Sequence, residues 1–211
     1  MTETAASDAG SRYRPLIVVP ASPALVLSRD ADPAGVHLRA AVERTLSRHR
    51  NLPVHLVGSR DPRWRTGHRG SFAGWGDATV NVGEGHHLPE LVQRFLLGPA
   101  GAERIVDVRG KLGEPAPGVL TLVALDGSAG LTGRAPLALI DGADSVDAWC
   151  RALLAGNRPP GKNPDSLRTA GVLEPDLWLE LAGIRPARAE LIAADVTSGV
   201  GRYVAEWEVG V

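Results

Sequence analysis

The 211-residue chain holds one cysteine, Cys150, and two lysines, Lys111 and Lys162. A lone thiol excludes an internal disulfide and any cysteine-rich zinc site, so a metal centre would have to draw on the six histidines and the carboxylates. No stretch reaches the roughly 18 to 20 apolar residues of a membrane span. Residues 1–14 lack a basic segment followed by an apolar one; they read as a flexible polar tail rather than a secretory signal, and the expected location is cytoplasmic. The net charge of -1 supplies no polyanion-binding field, so neither nucleic acid nor membrane is an expected partner. Charge is nevertheless uneven: residues 1–70 carry +5 and the remainder -6, an asymmetry compatible with dipolar packing or a homo-oligomer. The excess of arginine over lysine is what GC-rich coding would produce and is read as background.

With 44% hydrophobic residues the chain has enough apolar material for one core, and residues 15–211 are read as a single α/β domain. Pro15-Leu-Ile-Val-Val-Pro20 is a short continuous apolar run of the kind found in a strand buried on both faces. Asp32-Pro33 supplies an N-cap and first-turn proline for a helix to about residue 50, with Leu38, Ala41, Val42, Thr45 and Leu46 on one face. Residues 52–58 close a βαβ unit. A Gly- and Arg-rich loop over 59–77, long enough to suggest function, precedes a short strand at 79–82 and a helix over 87–97 stopped by Gly98-Pro99. Strands are expected at 105–108 and 119–125, helices at 144–154, 165–170 and 175–182, and closing strands at 191–196 and 202–209. This alternation predicts a three-layer α/β/α sandwich with a mostly parallel central sheet.

Several segments carry candidate chemistry. Asp126-Gly-Ser-Ala-Gly130 lies at a strand end and is one residue short of the Gly-x-Ser-x-Gly nucleophile elbow, with no helix signal behind it; a Ser128 hydrolase is one alternative, a plain turn the other. Glu84, His86 and His87 form the one tight group of metal-capable side chains, which with His55 or His68 would make a ferrous or zinc site for a metal-dependent oxygenase or hydrolase. Set against that, adjacent histidines at a helix start splay apart and are solvated. The Arg60 to Arg69 run could clamp an anion or stack a base on Trp64, or simply be a solvated loop. The glycines of Gly70 to Gly76 match neither phosphate-binding fingerprint. Trp149, Trp178 and Trp207 are expected in the core, and His37 and His49 on the polar face of the first long helix. His55, in a strand expected to be central, is either a hydrogen-bonded core histidine or a group aimed at a pocket.

Taken in order, Val19-Pro-Ala-Ser-Pro-Ala-Leu-Val26, Gly70-Ser-Phe-Ala-Gly-Trp-Gly76, Asp126-Gly-Ser-Ala129 with Arg134-Ala-Pro136, the helix after Asp141 and Gly199-Val-Gly-Arg-Tyr-Val-Ala-Glu-Trp207 resemble the LigB-like proteins of actinobacteria, relatives of the class III extradiol ring-cleavage dioxygenases and, distantly, of the Memo proteins. The likeness runs from about Pro15 to Trp207. It implies the family's α/β fold and, in its active members, a ferrous ion on two histidines and a glutamate, with a further histidine for acid/base chemistry. The positions that should carry imidazole hold Ala21, Gly58/Ser59 and Ala129 instead. Alanine has no lone pair for a metal, so the resemblance implies a pseudoenzyme that needs no cofactor, either inert or binding a small molecule. The expected residual pocket lies at the strand carboxyl ends, with Ala21, Ser22, Gly58, Ser59, Asp126 and Ser128 near it.

Overall fold

In the computed structural model, residues 14–27 and 32–210 are described. The N-terminal tail therefore falls almost wholly outside them. Strand β1 (Pro15–Val19) is followed by α1 (Ala24–Leu27) and α2 (Pro33–Ser47), then β2 (Val54–Val57). A two-stranded hairpin, β3 (Ser71–Phe72) and β4 (Asp77–Asn81), precedes α3 (Leu88–Ala102), β5 (Ile105–Arg109) and β6 (Leu120–Ala124). Helices α4 (Ala143–Leu154), α5 (Pro164–Thr169) and α6 (Pro175–Gly183) lead to the closing hairpin of β7 (Pro186–Asp195) and β8 (Arg202–Val209).

The main sheet runs β5-β2-β6-β1-β8-β7. The four strands from β5 to β1 are mutually parallel, while β8 runs antiparallel to β1, and β7 to β8. Every residue of β1 and β6 is buried, because side chains alternate across the sheet and both faces are covered. Leu16 and Val18 pack with Trp149, Trp178 and Leu181 on one side, whereas Ile17 and Val19 pack with Leu38, Val42 and Leu91 on the other. The chain is thus a three-layer α/β/α sandwich. The three core tryptophans are where the sequence places them. No helix among the described residues is long and apolar enough to cross a membrane.

Four local expectations need correction. The 59–77 segment is not a featureless loop: it holds a 3-10 turn at Pro62–Trp64, strand β3 and a second 3-10 turn at Ala73–Trp75. Helix α3 does not stop at Leu97; it kinks at Gly98, whose φ of 67° only glycine adopts readily, and continues past Pro99. Strand β7 starts five residues before Leu191, at Pro186, where Arg188 and Glu190 mask the apolar signal of a sheet edge. His49 is buried rather than solvent-facing, because its Nε2 lies 2.6 Å from Glu206 Oε1 on β8.

Candidate functional site

Connections leave the sheet in opposite directions at β6. The chain after β1 and after β2 covers one face with α2 and α3, whereas the chain after β6 crosses to the other face with α4 to α6. Adjacent parallel strands whose connections diverge leave a crevice at their carboxyl ends. A cavity of about 240 Å³ fills it.

The exits of three strands line this cavity: Ala21, Ser22 and Pro23 after β1, Ser59 after β2, and Ala124 to Gly127 at the end of β6. Leu88 and Pro89 at the start of α3 form one wall, and Trp64, Ala129, Leu173 and Glu174 contribute to the rest. Two sequence candidates lie outside the lining. Gly58 is covered: a Cβ there would come within 2.7 Å of Pro89 Cβ, so the helix start sits where its side chain would be. Ser128 is fully buried, bridges to Val172, and its Oγ accepts the Gly130 N–H at 3.1 Å. A serine so placed presents no hydroxyl for nucleophilic attack, and a loop rather than a helix follows β6.

Asp126 is the central polar group. The Ala21 N–H donates to its Oδ1 at 3.0 Å, and the Trp178 Nε1–H donates to its backbone carbonyl at 2.8 Å. Removal from water pushes its carboxyl up to about 7, against the opposing pull of the Ala21 and Ser22 N–H groups and of Arg202. Arg202 is itself held between Asp32 and Asp195, at 2.5 Å from each. At the other side Glu174 Oε1 accepts the Trp64 indole N–H at 2.6 Å. Ser22 Oγ accepts the Ala24 N–H at 3.3 Å and Ser59 Oγ the Asp61 N–H at 3.2 Å, so each hydroxyl keeps its proton to donate. A carboxyl that changes charge near neutrality, inside apolar walls, can bind or exchange a proton with a ligand.

The alternative metal ligands do not converge. Glu84 is exposed and paired with Arg69, the His86 Nδ1–H faces the Thr66 carbonyl at 3.2 Å, and His87 Nδ1 takes a hydrogen bond from Arg60 at 2.9 Å. Burial and then Arg60 hold the His87 imidazole below its ordinary value. His55 faces Arg109 at 3.2 Å, is likewise depressed by burial and by that guanidinium, and does not line the cavity; His68 is exposed. Among the described residues no three His, Cys, Asp or Glu side chains are grouped as a metal site.

Trp64 is legible in sequence only as a stacking surface within the Arg60 to Arg69 run, not as a neighbour of the strand exits, and Glu174 is separated from β6 by 49 residues; its one local signal is its place just before Pro175, at a helix start. No family model matches the chain, and no curated protein matches it.

Proposed function

We propose that the protein is a LigB-like relative without the family's iron centre, acting in the cytoplasm, whose cavity binds a compact and mostly apolar organic molecule. One observation carries this reading: Ala21 and Ala129, which stand where the resemblance calls for imidazole, both line the cavity. The polar groups that are present, two carboxyls and two hydroxyls with no imidazole, do not fit a 2-His-1-carboxylate ferrous site. The space suits a small ligand, since an apolar cavity of about 150 Å³ already takes a benzene ring.

The reading is tested by anaerobic reconstitution with ferrous iron followed by metal analysis and an assay with protocatechuate, alongside calorimetric titration with benzyl alcohol. Sub-stoichiometric iron, intact catechol and saturable binding of benzyl alcohol are expected. Tight iron binding with ring opening would overturn it.

A further inference from the structure

We propose that the cavity selects a cation, namely a primary amine on a compact apolar body, with Asp126 and Glu174 as the acceptors of its ammonium group. This rests on the cavity reading above and adds the charge of the ligand. Two carboxyl side chains line the space, and among the described residues no Lys, Arg or His does. Among the described residues, the two cations that act on these carboxyls are committed elsewhere. Arg202, which acts on Asp126, is fully buried between Asp32 and Asp195; Arg63, which acts with Glu174, is paired with Asp61 at 2.8 Å.

Acceptor capacity is left over on both groups. Among the described residues no side-chain donor reaches Asp126, and Glu174 takes one, the Trp64 indole, on Oε1. An ammonium has three donors and no acceptor, which suits carboxyls that lack donors. A ligand carboxylate would bring more acceptors to a place already rich in them, and a neutral ring would leave both carboxyls without a counter-charge. The indole of Trp64 adds an aromatic wall of the kind that accommodates organic cations.

A proton should accompany the ligand. Burial raises the Asp126 carboxyl, and the Ala21 N–H, Arg202 and the Ser22 N–H pull it back only in part, which leaves it at about 7. A bound ammonium favours the carboxylate, so binding below that value expels the Asp126 proton, and binding well above it expels none.

Calorimetry with benzylamine, benzyl alcohol and benzoate, at pH 6 and pH 8.5 in buffers of different ionisation enthalpy, tests this on the full chain. Benzylamine should bind at least tenfold more tightly than benzyl alcohol at pH 8.5, with benzoate weakest, and should release close to one proton at pH 6. Asp126→Asn, which keeps an oxygen for the Ala21 N–H, should abolish the release and remove most of the amine's advantage; Glu174→Gln should reduce the advantage while keeping the release. Equal or tighter binding of the alcohol or benzoate, or amine binding without proton release at pH 6, overturns the cation proposal and leaves the cavity reading standing. Binding of none of the three overturns both.

Discussion

The main-chain N–H of Ala21 donates to Asp126 Oδ1 at 3.0 Å, tying the exit of β1 to the exit of β6 across a register in which Val19 already pairs with Ala124. The bond anchors one carboxyl oxygen at the cavity. Its opponent is desolvation, the larger effect, which raises the carboxyl from 3.8 to about 7. A raised acid in the folded state means that the native protein holds a proton which the unfolded chain has lost, so this group's contribution to stability is full below about pH 4 and is lost as pH rises through about 7. Asp126→Asn removes that loss. The variant should gain on the wild type by roughly 4 kcal/mol between pH 4 and pH 8, measured by urea denaturation across that range. A constant difference between the two would show that the carboxyl titrates normally.

Gly127 is constrained from below. A Cβ at this position would run into the Tyr203 hydroxyl and lie 2.9 Å from its Cε2. The tyrosine cannot yield, because its O–H donates to Asp147 Oδ1 at 2.5 Å and its ring sits edge-on to Trp178 at 5.8 Å. Gly127→Ala should therefore cost about 2 kcal/mol, as overpacked cores do. In a Tyr203→Phe background the same change should cost about 1 kcal/mol less, since the clashing oxygen is gone. Equal costs in the two backgrounds would place the strain elsewhere.

What sequence could reveal differs between these layers. The unbroken apolar runs of β1 and β6 disclose strands covered on both faces, and Asp32-Pro33 and Glu174-Pro175 disclose helix starts, because these signals are local. Ser22, Ser59 and Asp126 are legible as cavity residues for one topological reason: parallel strands deliver their exits to one edge. Gly58 and Ser128 share that sequence position, yet Pro89 covers one and the Val172 bridge encloses the other, contacts that depend on how α3 and the 170s pack. The same limit hid His49, since helical periodicity could not foresee that Glu206 of β8 would meet it.

Arg202 is fully buried with two carboxylate partners, Asp32 and Asp195. Such a triad contributes little beyond a well-packed apolar substitute, but breaking it by removing one member leaves charge stranded. Arg202→Met should cost about 3 kcal/mol or more at pH 7. Asp32 is held below its ordinary value chiefly by its hydrogen bond with Arg202, so that stabilisation is present above about pH 4 and lost as pH falls through the depressed folded value. The gap between wild type and variant should accordingly narrow from pH 7 to pH 3 in guanidinium denaturation, and a gap that is independent of pH would exclude the Asp32 contribution.

Trp64 joins the candidate site to an optical signal. Its indole N–H donates to Glu174 Oε1 at 2.6 Å, and both residues line the cavity, whereas Trp149, Trp178 and Trp207 are buried in the opposite layer. A ligand that fills the cavity changes the surroundings of Trp64 directly, and among the core tryptophans it reaches Trp178 only through that residue's hydrogen bond to the Asp126 carbonyl. Benzylamine should therefore alter the emission of the wild type, and Trp64→Phe should abolish most of that change. Replacing the indole also leaves a half-buried carboxylate without its donor, at a cost of about 1–2 kcal/mol in stability. Trp75, half-buried on the β3–β4 hairpin and absent from the lining, provides the control: Trp75→Phe should leave the ligand response intact. A response that survives Trp64→Phe and disappears with Trp75→Phe would move the binding site from the strand exits to the hairpin.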